Sequence, residues 1–167
     1  KEYLGLDNFG LMIKGQTFKQ IAAGPFKDNL RELHEEIEPE LNEFERTMSY
    51  EYVPGALEFM QALKAAGIKT AIVTSSHNVK MANAYRAHPE LLDVVDRILT
   101  SNDFSKSKPD PECFLKGMEV LGGTPEETIV FEDSLHGIAA GRAAGAKVIG
   151  LTTTNKSEVL TPLCDMV

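Results

Sequence analysis

Three short polar clusters, each beside an apolar run, carry the chemistry this chain can offer. The first is Thr74-Ser75-Ser76-His77-Asn78, directly after the apolar run Ala71-Ile72-Val73. Hydroxyls and backbone N–H groups at a strand end that enters a helix are donors suited to an anion. The second is Ser105-Lys106-Ser107-Lys108-Pro109-Asp110-Pro111-Glu112, whose two prolines predict an extended segment that fixes where Lys108 points. A fixed ammonium can neutralise a carboxylate–phosphate pair whose charges would otherwise repel. The third is Glu132-Asp133-Ser134, after Val130-Phe131. Two adjacent acids at the end of an apolar strand need a positive partner. An oxygen-rich, incompletely closed site of this kind suits Mg²⁺, which keeps waters and binds through one or two carboxylates.

Each cluster also has a plainer use. Ser and Thr are common helix caps, Lys108 can be an exposed lysine in a stiff loop, and Asp133 can cap the next helix.

The elements that must position these clusters are legible from periodicity and punctuation. Residues 1–50 read as helical and acidic, with Phe26, Leu30, Leu33, Ile37, Leu41, Phe44 and Met48 forming an apolar stripe and Pro39 predicting a kink or a break. From residue 51 the pattern alternates. Pro54-Gly55 opens a helix to Ala66 with Gly67 ending it, and 69–74 reads as a strand covered on both faces. Helices are predicted at 77–87, 111–121 and 135–144, and strands at 97–100, 128–131 and 147–151. Thr124 and Glu127 have the spacing of a capping box. Gly137, Gly141 and Gly145, four apart, allow a helix to approach a sheet closely. Strand–helix alternation predicts an α/β fold: a doubly wound, Rossmann-like parallel sheet. In such a sheet ligands bind outside the carboxyl ends of the strands, where all three clusters fall.

Composition narrows the class further. The 167 residues carry 17 Lys plus Arg against 25 Asp plus Glu, a net charge of −8. With 43% hydrophobic residues the chain can form a core and is not disordered, and its acidic balance argues against nucleic acid as a partner. No apolar stretch approaches the roughly 18 residues of a membrane span, and no secretory-signal pattern is legible. Cys113 and Cys164 form no metal or redox motif, so a reducing, cytoplasmic setting is the default expectation.

The order and spacing of the clusters are specific together. Thr74-Ser75-Ser76, then Lys108-Pro109-Asp110-Pro111-Glu112, then the run from Phe131-Glu132-Asp133-Ser134 to Gly145-Ala146, resemble the haloacid-dehalogenase-like phosphohydrolase superfamily. The resemblance is greatest to its helical-cap branch, which contains β-phosphoglucomutase and sugar-phosphate phosphatases. It implies residues 1–50 as the remainder of a helical cap and 51–167 as the α/β core, incomplete at both ends. It further implies Thr74 as the hydroxyl that bonds the transferring phosphoryl group, aided by the Ser75 N–H, and Lys108 as the bridge between nucleophile and phosphate. Glu132 and Asp133 are the implied Mg²⁺ acids, Asp133 the more direct ligand. Ser76, His77 and Asn78 fall where mutase-like members contact the substrate's distal groups, though His77 equally suits an exposed first helical turn. Lys14-Gly15-Gln16-Thr17 resembles a substrate-facing cap loop, and a glycine-led helix start accounts for it nearly as well.

The superfamily's first motif, Asp-x-Asp, is absent; it holds the nucleophile that becomes an aspartyl-phosphate and the general acid–base. The nearest imitation, Leu6-Asp7-Asn8-Phe9-Gly10, has Phe9 where the second acid belongs. The strand bearing that motif lies, in the superfamily, between the strands predicted here at 69–74 and 128–132, so these two are expected to remain unpaired with each other. The sequence is expected to be part of a longer chain that begins inside the cap, with a terminal strand starting at 164–167. The implied function is a Mg²⁺-dependent phosphatase of a small phosphorylated metabolite, a sugar phosphate for example, with this chain alone inactive. A phosphomutase is the rival reading, and a non-catalytic binding remnant the alternative from another class. The metal-free dehalogenase branch has no need of Glu132-Asp133.

Overall fold

A computed structural model of the chain describes Ala23 and residues 39–167. Asp7, Lys14, Gly15, Gln16, Thr17 and the stripe at 26–37 lie outside the described residues. The first described element, α1, covers residues 39–47. Then follow α2 (Ala56–Ala65), β1 (Ala71–Val73), α3 (Asn78–Ala87), α4 (Leu91–Val94) and β2 (Arg97–Leu99). The remainder is α5 (Glu112–Leu121), a 3₁₀ turn at Pro125–Glu127, β3 (Ile129–Glu132), α6 (Leu135–Ala143), β4 (Lys147–Gly150) and α7 (Ser157–Leu160).

Glycine sets several of these boundaries. Gly67 (φ 72°) and Gly122 (φ 70°) take left-handed conformations that let the chain leave α2 and α5. The N–H of Gly123 then closes the end of α5 on the Met118 carbonyl at 3.0 Å. Gly141 serves a different need, since a Cβ there would sit 3.0 Å from Val148 Cγ2 and 3.2 Å from Val130 Cγ1. Its lack of a side chain lets α6 lie close against β3 and β4. The expected capping box does not form: Thr124 Oγ1 donates to Glu127 Oε2 at 3.3 Å, side chain to side chain, and leaves the backbone uncapped.

All strand pairing is parallel. β1 pairs with β2 in the register Ala71–Arg97, Ile72–Ile98, Val73–Leu99. β3 pairs with β4 from Ile129–Lys147 to Glu132–Gly150, and Met166 adds a parallel bridge to Ile149. Among the described residues β1 and β3 are not paired, so the strands form two pairs rather than one continuous sheet. Helix α5 packs on both β1 and β2 and also meets α6, which covers β3 and β4.

The two pairs are covered differently. Around the first, Ile72 and Ile98 join a cluster with Leu91, Val94 and Val95, while Val73 turns to the main core. Both faces of β1 are thus covered, as its unbroken apolar run predicts. The main core gathers Cys113, Ile138, Val148 and Leu160, all essentially fully buried. Burial pushes the Cys113 thiol up, so this cysteine fills space and is a poor nucleophile. Strand β3 is packed on one face only. Val130 is 6% exposed, but Ile129 and Phe131 on the other face are 53% and 43% exposed, with Phe131 meeting Phe59 of α2 edge to face. The apolar run alone could not show that only one face of β3 is packed.

Helix α1 is tied to the core by polar contacts. Glu45, with 9% of its side chain exposed, pairs with Lys80 of α3 at 3.0 Å. The linker beyond α1 is held by His88, whose ring nitrogens meet the Tyr50 carbonyl and the Glu90 carboxylate and whose ring stacks obliquely on Tyr52. The Tyr50 carbonyl first, and then Glu90, hold the His88 imidazole above its ordinary pKa.

Candidate active site

At the carboxyl end of β1 the chain turns through Thr74, Ser75 and Ser76 into α3. The Thr74 N–H still pairs with the Leu99 carbonyl at 2.9 Å, so the residue is anchored to β2. Its Oγ1 accepts the Ser76 N–H at 3.1 Å, which tightens the turn without using the hydroxyl proton. Ser75 lies between them, half-buried. The Ser76 carbonyl accepts from Ser101 N–H at 3.0 Å, fixing the loop to the end of β2. His77 caps α3 by accepting the Lys80 N–H on Nδ1 at 3.2 Å, and its Nε2 lies 4.0 Å from Glu45. Asn78 accepts the Thr100 hydroxyl at 2.7 Å, so both residues have structural work in this conformation.

The lysine-bearing loop turns rather than running extended. Its Lys108–Pro109 peptide is cis, and the Asp110 N–H closes on the Ser107 carbonyl at 3.1 Å. Two prolines restrict the local backbone but do not choose this path; Glu112 does. Its carboxylate accepts the N–H groups of Ser105 (2.7 Å) and Lys106 (2.8 Å) and the Ser105 hydroxyl. The Ser105 N–H, before the other donors, holds the Glu112 carboxyl below its usual range.

This closed loop carries Lys108 inward until it is 4% exposed. Its Nζ donates to the Val73 carbonyl at 3.2 Å and to Glu132 Oε1, and it stands 4.6 Å from the Phe114 ring centre. Val73 ends β1 and Glu132 ends β3, so one ammonium spans the carboxyl ends of the two strands that do not pair. The bland reading of Lys108 as an exposed loop residue is excluded.

Glu132 is held from all sides. Besides Lys108, its carboxylate accepts the N–H groups of Asp133 and Ser134, each at 3.1 Å, and the Ser134 hydroxyl at 3.0 Å. The helix cap is Ser134, not Asp133: its Oγ accepts the Gly137 N–H at 3.0 Å. Asp133 is instead bound by the loop after β4, through the hydroxyls of Thr153 and Thr154.

The structure thus brings Thr74, Ser75, Lys108, Glu132 and Asp133 to one end of the strands, with Ser76, His77 and Asn78 beginning the adjoining helix. The donor set fits a hard, hydrated cation, since Glu132 and Asp133 offer only carboxylate oxygen. Among the described residues no group of three or more metal-ligating side chains is assembled, and the Glu132 carboxylate is already engaged by Lys108. Four partners escaped sequence reasoning: Glu112, Thr153, Thr154 and Asn155. For Glu112 a signal existed, an acid closing a loop of alternating Ser and Lys; for the threonines only an unexplained polar run after a strand.

Residues 9–151 match the family described as haloacid dehalogenase-like hydrolase. The chain is 35% identical over 108 residues to validoxylamine A 7'-phosphate phosphatase of Streptomyces hygroscopicus subsp. limoneus, covering 65% of this chain and 50% of that protein. It is 36% identical over 105 residues to β-phosphoglucomutase of Mycobacterium bovis, covering 62% and 40%. The chain therefore spans half or less of the length of both curated relatives. A solved haloacid dehalogenase-like protein of Bacteroides fragilis shares the fold with TM-score 0.80 at 23% identity, over 97% of this chain and 79% of that one. With the family matched across most of its length and the fold shared, the chain belongs to the haloacid dehalogenase-like hydrolases.

Proposed function

We propose that the intact protein is a Mg²⁺-dependent phosphohydrolase of a small phosphorylated metabolite, with a sugar phosphate as the leading substrate class. The observation that carries this reading is the buried Lys108 ammonium between the ends of β1 and β3. In this reading the nucleophilic aspartate comes from a strand outside the sequence given, placed between β1 and β3, and forms an aspartyl-phosphate that water hydrolyses. Residues 1–50 contribute to the cap and 51–167 to the core, in a cytoplasmic protein whose cysteines are free thiols.

The division of labour follows from the residues. Thr74 Oγ1 and the Ser75 N–H donate to the equatorial phosphoryl oxygens, where charge is densest in the transition state. Lys108 offsets the charge of nucleophile and phosphate together, and Glu132 holds Lys108 in place. Asp133 is the direct Mg²⁺ ligand. The cation, when bound, supplies further charge neutralisation at the phosphoryl oxygens. Gly15, Gln16 and Thr17 are proposed to face the substrate from the cap, and Ser76, His77 and Asn78 its distal groups.

Similarity to a β-phosphoglucomutase favours a second reading, in which a sugar hydroxyl accepts the phosphoryl group instead of water. Phosphate release from a panel of phosphorylated sugars and polyols by the intact protein, with Mg²⁺ or with EDTA, tests both. Mg²⁺-dependent release is expected, with the 167-residue chain alone inactive. Isomerisation of a sugar phosphate without release would replace the phosphatase by the mutase. Absence of either turnover in the intact protein would overturn the proposal.

A further inference from the structure

The run Thr152-Thr153-Thr154-Asn155 leaves β4 and has no part in the mechanism described so far. Its course is nonetheless fixed. The Leu151 N–H donates to the Glu132 carbonyl at 2.7 Å, extending the β3–β4 pairing to the last residue before the acid at 133. The loop then folds back onto Asp133. Thr153 Oγ1 donates to Asp133 Oδ2 at 3.0 Å, Thr154 Oγ1 donates to the same oxygen, and Asn155 Nδ2 donates to the Asp133 carbonyl at 2.8 Å. Three consecutive side chains thus converge on the main chain and side chain of one residue about twenty positions away.

The contrast with Glu132 is informative. Glu132 is held by a cation, which compensates its charge inside the protein. Asp133 receives two hydroxyls on one carboxylate oxygen, which fix the torsions of the group. Fixing in advance removes the entropy that an unconstrained carboxylate would lose on ligating a cation. Placing both hydroxyls on the same oxygen also sets the plane of the group.

We propose that Thr153, Thr154 and Asn155 are positioning residues for Asp133, holding its carboxylate in the orientation that ligates the divalent cation, while Glu132 serves as the internal anchor of Lys108. This rests on the reading of Asp133 as a cation ligand. Outer partners of metal ligands typically contribute tenfold to a hundredfold in affinity.

The test is Mn²⁺ binding to the intact protein, measured by electron paramagnetic resonance of free Mn²⁺ and by water-proton relaxation. Thr153→Val with Thr154→Val is expected to weaken binding by roughly tenfold to a hundredfold. Thr153→Ser with Thr154→Ser, which restores the hydroxyls, is expected to return wild-type affinity. Should the valine pair melt early, Thr153→Val alone, at an exposed position, carries the same test. Unchanged affinity in the valine variants, with binding abolished by Asp133→Asn, overturns the inference and leaves the cation reading standing. Equal loss in the serine pair assigns the effect to packing and overturns it as well. No Mn²⁺ binding by the wild-type intact protein, or unaltered binding by Asp133→Asn, overturns inference and reading together.

Discussion

Lys108→Met is expected to destabilise the protein by about 3 kcal/mol and to lower its thermal midpoint by roughly 6–12 °C. The cause is the group left behind. Lys108 and Glu132 keep only 6% and 10% of their side chains exposed, so the pair is held largely away from water. Methionine fills the volume of the lysine stem but leaves a carboxylate with neutral donors alone. Those donors place the expected cost at the lower end of the range for a broken buried pair. The companion measurement is the double variant Lys108→Met with Glu132→Gln, in which no charge is stranded. It is expected to be more stable than the sum of the single effects predicts, with a coupling of about 2 kcal/mol. Additive effects in thermal or urea unfolding would show that the pair contributes nothing as a pair.

Gly137→Ala is expected to cost roughly 3 kcal/mol or more, although alanine is the better helix former by about 1 kcal/mol. A Cβ at this position would lie 2.1 Å from Cδ and Oε1 of Glu132 and 2.4 Å from Oε2. A flexible side chain could swing clear, but this carboxylate cannot leave without giving up Lys108 and the donors at 133 and 134. The first turn of α6 is therefore open so that Glu132 can lie across it. A suppressor separates this cause from general strain in the helix. In the background of Glu132→Ala the clash is gone, and Gly137→Ala should then be neutral or slightly stabilising. Destabilisation persisting in that background would place the cause elsewhere. Gly141→Ala makes a graded comparison, because its nearest contacts at 3.0 and 3.2 Å are valine methyl groups that can shift.

Much of this was readable from the sequence, for reasons that stop at definite places. Periodicity reports which residues share a face, so α2, α5, α6 and the four strands fall close to where the apolar spacing puts them. The left-handed glycine at 67 ends its helix as predicted, and Gly122 ends α5 in the same way. The site residues Thr74, Lys108, Glu132 and Asp133 were legible because each lies at a strand end or in a loop of unusual stiffness. What periodicity does not report is the distant partner. That Lys108 would meet Val73 and Glu132, that Glu112 would close the loop carrying it, and that Thr153 and Thr154 would seize Asp133 depend on how separate segments are brought together. The exposed face of β3 was illegible for the same reason, since an apolar strand looks alike whether one face or both are packed.

In the proposed function the end of β1, Lys108 and the acids of β3 form a phosphoryl site. A crystal structure of the protein grown with Mg²⁺ and tungstate, a phosphate analogue, tests it most directly. Tungstate is expected within hydrogen-bond distance of Thr74 Oγ1, the Ser75 N–H and Lys108 Nζ, with the cation on Asp133. Tungstate bound away from these three donors, with Lys108 still directed at Glu132 and the Val73 carbonyl, would contradict that assignment.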